Sequence, residues 1–301
     1  MFLNFLKYKK IYFFFSGTLI LASIACLVVF GLNLGIDFTG GSILELEYEG
    51  PRPSAESVKE SLGTEAGAVY VQSTEPNGLI IRMKDIDEKN HQSILQKLSQ
   101  GYQVEERRFE SIGPVIGQEL KQKTKILIAV ALISIVLYIV FSFRKVQRPI
   151  RSWQCGIASL IALFHDVLIP VGVFSVLGKF YGLQLTIPVI AALLTVLGYS
   201  INDTVVVFDR IRENLIRNVG ANFTETVNIS LNQTLARCLN TSLTTLLVLL
   251  SIFFFGGATL KSFALVLIIG IVAGTYSSIF LATPFLTGFS KNAQINKKDE
   301  I

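Results

Sequence analysis

Residues 186–208, TIPVIAALLTVLGYSINDTVVVF, contain one charged side chain, that of Asp203. About 20 residues of apolar helix cross the hydrocarbon core of a bilayer, which is about 30 Å thick. The stretch is therefore predicted to be a transmembrane helix with a carboxylate inside it. An isolated ionised carboxylate at that depth costs at least about 2.5 kcal/mol, so Asp203 requires either a partner or a proton.

The rest of the chain has the composition of a polytopic membrane protein. Hydrophobic residues make up 51% of it and charged residues 16%, and the mean hydropathy is +0.54. Runs of sufficient length with few or no charges lie at 11–36, 126–143, 152–178, 180–208, 238–260 and 262–290. The first run is too long for the core of a signal peptide and no small-x-small cleavage site follows it, so six retained helices are predicted.

Basic residues collect in alternate connections between these runs. They are Lys7, Lys9 and Lys10; Arg144, Lys145, Arg148 and Arg151; Arg210, Arg212, Arg217 and Arg237; and Lys291, Lys297 and Lys298. The opposite short connections carry only Lys179 and Lys261. This positive-inside pattern predicts that both termini are cytoplasmic. The net charge of +5 therefore reports topology and does not indicate a nucleic-acid partner.

The predicted helices divide the chain into four parts. Residues 1–33 form the cytoplasmic N-terminus and the first helix, and residues 34–125 form an extracytoplasmic domain. Residues 126–290 form helices two to six, and residues 291–301 form a cytoplasmic tail.

The extracytoplasmic segment has its own periodicity. Alternation in SILELEY (42–48), GAVYVQS (67–73), GLIIRMK (78–84) and YQVEERRF (102–109) predicts strands, and the TEPNG turn (74–78) joins the second to the third. A helical pattern follows the first strand and has its apolar face at Ala55, Val58 and Leu62. A second helical pattern follows the third strand and has its apolar face at Ile94, Leu95 and Leu98. The order βαββαβ predicts a small α+β, ferredoxin-like domain.

Neither a metal centre nor a cofactor site is predicted. His91 has no Cys or His neighbour at ligand spacing and is interpreted as a solvated helix residue. Cys26, Cys155 and Cys238 fall in or beside predicted helices, so no disulfide framework is indicated. The chain contains neither G-x-x-x-x-G-K-[ST] nor H-E-x-x-H, and we do not expect an enzyme.

Glycine-rich segments flank the extracytoplasmic domain and are predicted to be structural elbows. LNLGIDFTGGS (32–42) follows the first helix, and SIGPVIGQELKQKTK (111–125) leads into the second as an amphipathic segment. Glycine permits the backbone conformations that turn a helix into a strand. The elbow residues are Gly35, Gly40, Gly41, Gly113, Pro114 and Gly117, and Asp37 is interpreted as a turn cap rather than a binding residue.

The motifs GLNLGIDFTGG, IGPVIGQEL, LFHDV, GYSINDTVVVFDRIREN and LARCLNTSLTTLL, in this order over nearly the whole chain, resemble the SecF family. These are the smaller subunits of the SecD/SecF protein-export complex, within the resistance-nodulation-division superfamily. The resemblance implies a protein of a prokaryotic cytoplasmic membrane that pairs with SecD beside the SecY/SecE/SecG channel, with YajC as a further candidate partner. It implies that the proton-motive force helps to draw unfolded exported polypeptide outward.

Asp203 has two interpretations on sequence alone. If its helix ended at Asn202, the carboxylate would be a solvated terminus. If the helix runs to Phe208, Asp203 lies inside the membrane about a turn and a half from the cytoplasmic end. Arg237 on the next helix is then its natural partner, although Arg237 also fits a basic flank that snorkels to the interface. In the SecF family the corresponding Asp and Arg belong to the proton pathway, and the resemblance implies that role for both.

Other polar residues extend this candidate pathway. Asp166, beside His165 in the third helix, is compatible with a structural carboxylate and with a relay member. The candidate members on the fourth helix are Ser200, Asn202 and Thr204, and those on the fifth are Asn240, Thr241 and Thr244. The coupling ion implied by the resemblance is H⁺, and Na⁺ is equally compatible with the sequence.

A G-x-x-x-G pattern in the sixth helix predicts close helix packing. Gly270 and Gly274 form the pattern, and Ser277 and Ser278 follow within a turn. Small residues at this spacing let another helix approach closely. Packing within the chain is favoured over a contact with SecD.

Two other functions are compatible with parts of the sequence. An intramembrane aspartyl protease would use Asp166 and Asp203, but neither FHD nor SIND has the G-x-G-D setting that it requires. A stand-alone transporter of hydrophobic small molecules would ordinarily carry two six-helix halves, and one half is present here.

Overall fold

The computed structural model describes residues 3–63, 69–74, 77–142 and 151–295. Its described residues include six helices that are long and apolar enough to cross a membrane. The chain forms two compact units. One comprises residues 1–32, 128–183 and 187–301, and is called the membrane unit below. The other comprises residues 33–127 and 184–186, and is called the soluble unit.

The elements follow the predicted order with two short additions. A 3₁₀ turn at Phe5–Tyr8 precedes the first helix. The helices are α1 (Lys9–Phe30), α2 (Ile36–Thr39), α3 (Ala55–Leu62), α4 (Glu88–Leu98), α5 (Pro114–Ser142), α6 (Ser152–Tyr181), α7 (Ile187–Ile216), α8 (Phe223–Phe255), α9 (Ala258–Ser277) and α10 (Thr283–Ile295). The strands are β1 (Gly41–Tyr48), β2 (Tyr70–Thr74), β3 (Gly78–Met83) and β4 (Val104–Ile112). A π-helical segment, Ser278–Ala282, joins α9 to α10.

The spans differ in how deeply they are buried in the membrane unit. In the most apolar part of the span Leu260–Phe289 67% of the residues are buried, and in Ile187–Ile216 the share is 50%. In Pro114–Ile139 the share is 6%. The helices α6, α7 and α9 therefore form the centre of this unit, and α5 presents most of its apolar side chains outward, as a helix facing lipid or another subunit does.

Small residues bring α1 against α6. A methyl group added at Gly172 would lie 2.6 Å from Cβ of Ser23, so only glycine fits that position without a shift. Ser175, one turn along α6, donates to the carbonyl oxygens of Cys26 at 2.9 Å and Gly31 at 2.6 Å. The Ser175 hydroxyl therefore ties α6 to the end of α1, where the Gly31 carbonyl lies outside the helix.

The soluble unit contains a four-stranded antiparallel sheet in the order β2-β3-β1-β4. The predicted α+β class and the βαββαβ order are confirmed. Because β3 lies between β1 and β2, the connection through α3 crosses over β3, as in a split βαβ unit. The ferredoxin-like assignment stays a prediction. Alternate residues of β1, together with α3 and α4, form the core, which includes Leu44, Leu46, Val58, Leu62, Ile94 and Leu98.

The interpretation of His91 as a solvated residue was wrong. The side chain is 4% exposed and its ring stacks on Phe109, with the centroids 3.7 Å apart. Its Nδ1 lies 3.2 Å from Glu88 and its Nε2 lies 3.1 Å from Glu106. A helix position next to Ile94 faces the sheet, and two carboxylates make burial of the polar ring tolerable there.

Two helices extend beyond their charge-free runs, because such runs measure membrane depth and not helix length. The first helix ends at Phe30, just before the predicted elbow at 32–42. The second begins at Pro114, within the predicted elbow, and the fifth begins at Phe223, long before residue 238. In the fifth case Asn222 caps the helix, accepting from the Glu225 amide at 2.9 Å, and helix-forming polar residues continue it into the membrane.

Parts of some predictions lie outside the described residues. These are Arg144, Lys145 and Arg148 of the basic connection, Lys297 and Lys298 of the tail, the start of the strand predicted at 67–73, and the middle of the TEPNG turn.

Candidate functional site

The centre of the membrane unit contains a carboxylate with no exposed surface. Asp166 on α6 accepts hydrogen bonds on Oδ2 from Ser200 of α7 at 2.5 Å and from Ser277 of α9 at 2.7 Å. Its Oδ1 lies 2.8 Å from Nδ1 of His165. Because both oxygens have donors, an ionised Asp166 is well satisfied inside the bundle, and it joins three helices.

Asp203, on α7, is also buried, with 2% of its surface exposed, but it has fewer contacts. Its Oδ2 lies 3.5 Å from the hydroxyl of Ser242 on α8, and the carboxylate also contacts the thiol of Cys238. Ser242 in turn lies 2.5 Å from Oγ1 of Thr275, which reaches the carbonyl of Ile271 at 2.9 Å. A short chain of hydroxyl groups therefore leads from Asp203 to α9.

Arg237 lies on α8 directly before Cys238, and its side chain is exposed. It interacts electrostatically with Asp203. No salt bridge joins Arg237 to any carboxylate in the described part of the chain, so the direct pair expected with Asp203 is not formed in this structure. Arg237 instead lines a polar cavity between α7 and α8. Pairing inside the bundle would remove its guanidinium from water, which costs several kcal/mol.

The junction between α9 and the π-helical segment places two successive serines, Ser277 and Ser278, in the polar centre. Ser277 donates to Asp166, and the Ser278 hydroxyl lies 2.9 Å from Thr204 of α7. Thr283 closes the segment by donating to the Ser278 carbonyl at 2.7 Å. A π-turn changes the phase of a helix, and such turns are frequent at functional sites. Thr204, predicted as a pathway member, is therefore adjacent to the buried network.

His165 extends the network toward α1. Its ring faces that of Tyr276, with centroids 6.0 Å apart, and its Nε2 is buried without a hydrogen-bond partner among the described residues. The Tyr276 hydroxyl lies 3.2 Å from Oγ of Ser16 and 3.3 Å from the carbonyl oxygen of Tyr12.

The two asparagines of the candidate pathway lie elsewhere. Asn202 on α7 and Asn240 on α8 both have exposed side chains. Gly198, one turn before Asn202, is exposed as well, and nothing lies within 4 Å of the position that a methyl group would take there. The membrane-spanning helices α7 and α8 therefore each present polar or small residues that the rest of the described chain does not cover.

Gly270 and Gly274 lie against α7. A methyl group at Gly270 would overlap the Val196 side chain, and one at Gly274 would lie 3.0 Å from Cβ of Ser200. Both glycines thus pack inside the chain, at the helix that carries Asp203.

Within the soluble unit, the two predicted elbows meet. Gly40 has φ of +73°, and a methyl group there would lie 2.8 Å from Cα of Pro114. A methyl group at Gly117 would lie 2.8 Å from the Gly40 nitrogen. The start of α5 therefore packs directly on the backbone at Gly40, which requires glycine on both sides.

The other elbow residues have separate positions. Gly35 donates to the Leu185 carbonyl at 2.9 Å and takes the N-cap position of α2, so Asp37 lies in the first turn rather than at the cap. Gly41 has φ of +131° and begins β1. The Gly113 carbonyl accepts the first hydrogen bond of α5.

The predicted pathway included Ser200 but missed three residues that the structure places in the network: Ser242, Thr275 and Ser277. Serine and threonine occur throughout membrane helices, so the sequence offers no signal for their pairing. Ser277 was singled out only as a small residue beside the G-x-x-x-G pattern. No group of three or more His, Cys, Asp or Glu side chains suited to a metal ion occurs among the described residues.

Two family models match the chain. The model described as protein export membrane protein SecD/SecF, C-terminal, matches residues 91–292. The model described as the SecD/SecF GG motif matches residues 27–51, which include Gly40 and Gly41. Together they cover both buried carboxylates and both elbows described above.

Relatives at substantial identity extend over nearly the whole chain. Protein translocase subunit SecF of Thermobaculum terrenum is 41% identical, covering 95% of this chain and 94% of the relative. Protein translocase subunit SecDF of Thermus thermophilus is 38% identical over 91% of this chain, which corresponds to 37% of that longer protein.

A solved structure has the same fold. The crystal structure of SecDF from Thermus thermophilus, described as a translocon-associated membrane protein, matches with a TM-score of 0.84 and 34% identity. The match covers 97% of this chain and 39% of SecDF. The chain therefore belongs to the SecD/SecF family of protein export membrane proteins.

Proposed function

We propose that the chain is a SecF-type subunit that pairs with SecD and uses the proton-motive force to promote translocation of unfolded polypeptide. Its likeness to proteins named protein translocase subunit SecF supports the role. Pairing with SecD is supported by the relative named SecDF, of which this chain spans about a third. The SecY/SecE/SecG channel and YajC are proposed as further partners.

The proposed location is the cytoplasmic membrane of a prokaryote, with both termini cytoplasmic and residues 34–125 outside. The alternating distribution of basic residues supports this orientation. The proposed role requires neither a cofactor nor nucleic acid, and it is that of an energy-coupling subunit rather than an enzyme.

The observation that carries the proposal is the weak anchoring of a buried carboxylate. Asp203 is buried in a membrane helix, yet its contacts are one long hydroxyl contact and a thiol. Asp166 accepts close hydrogen bonds on both oxygens. Hydrogen bonds to a carboxylate stabilise its ionised form, so the poorly bonded Asp203 is the group that can change its protonation state.

The hydroxyl chain beside Asp203 accommodates both states. When Asp203 is protonated, its O–H can donate to Ser242, Ser242 to Thr275, and Thr275 to the Ile271 carbonyl. When Asp203 is ionised, rotation of the Ser242 hydroxyl lets it donate to the carboxylate instead. Neither state requires movement of the backbone, so a proton can be taken up and released at small structural cost.

Arg237 supplies the charge that distinguishes the two states. It is attracted to an ionised Asp203 and released by a protonated one, while the cavity keeps it hydrated. A movement of Arg237 between these positions is proposed as the step that couples protonation to a helix shift. A proton needs one acceptor, whereas Na⁺ needs a shell of oxygen ligands, so the contacts of Asp203 favour H⁺.

The uncovered residues of α7 and α8 are proposed as the surface that meets SecD. Gly198, Asn202 and Asn240 are exposed within membrane-spanning helices. Polar side chains at membrane depth ordinarily face a protein partner or a water-filled cavity. A second six-helix subunit would cover them.

The structure weakens the protease alternative. An aspartyl protease requires two carboxylates that share a water and a proton. The oxygens of Asp166 are instead occupied by Ser200, Ser277 and His165. A stand-alone transporter would be supported if the chain purified without a second six-helix subunit.

The test is translocation into inverted membrane vesicles that contain the chain with SecD. We expect Asp203→Asn to assemble with SecD and to abolish the part of translocation that depends on the proton-motive force, leaving the ATP-driven part. Asp87→Asn is the matched control, because Asp87 caps α4 in the soluble unit and asparagine caps equally well. Wild-type dependence on the proton-motive force in Asp203→Asn would refute the proposal.

A further inference from the structure

A cavity of about 420 Å³ opens between the last turns of α7 and the first half of α8, with Ser142 of α5 at its edge. Three arginines line it: Arg210, Arg212 and Arg237. Val205 and Val206 form its apolar side. Most of its surface is therefore polar and basic.

The carboxylates at the cavity do not balance these cations. Glu213 pairs at 2.7 Å with both Arg210 and Arg217. Asp209 lies 3.3 Å from Arg212. Among the residues that the structure describes, no carboxylate forms a salt bridge with Arg237. The lining therefore has three arginines and two carboxylates, Asp209 and Glu213, which leaves an excess of one positive charge around the cavity.

One hydrogen-bond donor of a lining residue lacks an acceptor. The Nε atom of Arg212 is buried and unpartnered within the described residues. A buried donor without an acceptor costs about 1–3 kcal/mol, and more when it is charged. Guanidinium groups bind the oxygens of phosphate through paired N–H donors, which a lysine cannot reproduce.

The depth of the cavity agrees with such a ligand. At 30 residues, α7 is about 45 Å long, and α8 is longer. The hydrocarbon core is about 30 Å thick, so the last turns of α7 extend beyond it. Arg210 and Arg212 lie in these turns, at the level where a bilayer presents its phosphate groups.

We propose that this cavity is a binding site for a phosphate group, supplied either by the headgroup of an anionic phospholipid or by soluble phosphate. Arg212 and Arg237 donate to the phosphate oxygens from opposite walls, and Arg210 contributes its charge. Binding does not rest on the proposed proton pathway, because it requires neither SecD nor a proton gradient.

The test is a titration of the purified, delipidated chain in a neutral detergent. The probes are a short-chain phosphatidylglycerol, the zwitterionic phosphatidylcholine of the same chain length, and sodium phosphate, all at one ionic strength. Native mass spectrometry counts the bound molecules and gives Kd. We expect saturable binding of one phosphatidylglycerol per chain, with Arg212→Gln weakening it at least about tenfold.

Arg217→Gln is the matched control, because it removes the same charge from the same end of α7 but lies outside the cavity lining. Its effect should be less than about twofold, as expected for an exposed charge. Arg210→Gln replaces Arg212→Gln if circular dichroism shows that the latter is misfolded. Equal Kd values for phosphatidylglycerol and inorganic phosphate identify a free phosphate, and binding of the lipid alone identifies a headgroup site.

Three results would overturn the proposal. The first is the absence of saturable binding for both anionic probes, and the second is an equal loss in Arg212→Gln and Arg217→Gln. The third is that phosphatidylcholine binds as tightly as phosphatidylglycerol, since the cavity would then not select negative charge. Absence of binding in every arm would leave the translocation test of Asp203 unaffected, so the two proposals fail separately.

Discussion

The hydroxyl of Ser242 on α8 lies 3.5 Å from Oδ2 of Asp203 on α7, at the outer limit of a hydrogen bond. On α7, three residues before Asp203, Ser200 donates to Asp166 at 2.5 Å. Two carboxylates in one polar centre therefore differ sharply in how firmly they are bonded. This difference is the basis of the proposal that Asp166 has a structural role and that Asp203 titrates.

Asp166 should contribute mainly to stability. Removal of its carboxylate in Asp166→Ala leaves the donors of Ser200 and His165 without an acceptor and leaves Ser277 only the Gly274 carbonyl, and we expect a loss of about 3 kcal/mol or more. Ser277→Ala removes one donor and should cost about 1–2 kcal/mol. Unfolding in mixed micelles measures both values. A Ser277→Ala variant less stable than Asp166→Ala would contradict this ordering.

The close contact of α9 with α7 should tolerate no added methyl group. We expect Gly270→Ala to destabilise the membrane unit by about 1–3 kcal/mol, because the new Cβ would overlap Val196. Gly198→Ala on α7 is the control, since nothing lies within 4 Å of that position. Thermal unfolding of the two purified variants gives the comparison, and equal midpoints would show that the packing around Gly270 relaxes freely.

Tyr48 in the soluble unit should make stability fall at alkaline pH. Burial raises the pKa of its phenol to about 12, and the nearby Tyr102 adds to the shift. The contribution of the buried phenol to the free energy of unfolding is therefore complete below the unfolded-state pKa of about 10. It is lost as the pH rises through the folded-state pKa. In Tyr48→Phe this loss should be absent.

The same substitution removes a buried hydroxyl that has no hydrogen-bond partner among the described residues. Tyr48→Phe should therefore be more stable than the wild type by about 1 kcal/mol at pH 7, and the gap should widen above pH 10. Guanidinium unfolding followed by circular dichroism measures it. A gap that narrows with rising pH would have the wrong sign.

The order of the elements could be predicted from the sequence, because hydrophobic runs and the alternation of apolar and polar residues are visible within short stretches of the chain. The strands around Leu44 and Ile81 and the charge-free helices follow directly from these patterns. Helix ends were less accessible, since polar residues such as those after Asn222 continue a helix without any hydrophobic signal. The burial of His91 required knowledge of Glu106, which lies 15 residues away on another element.

The candidate site was accessible only in part. A carboxylate such as Asp203 inside an apolar run is conspicuous because its cost is large. Its neighbours Ser242 and Thr275 are ordinary residues in membrane helices, and only the packing of α8 on α9 brings them together. The exposure of Asn202 could not be predicted, because the sequence periodicity of α7 does not distinguish an exposed polar helix face from a buried one.

The central claim is that Asp203, and not Asp166, takes up and releases the proton. Infrared difference spectroscopy of the purified complex with SecD, recorded while the pH is changed, detects the C=O band of a protonated carboxyl group directly. Among the carboxyl bands that change with pH, we predict one that is absent in Asp203→Asn and present in Asp166→Asn. A band that disappears in Asp166→Asn and persists in Asp203→Asn would contradict the account.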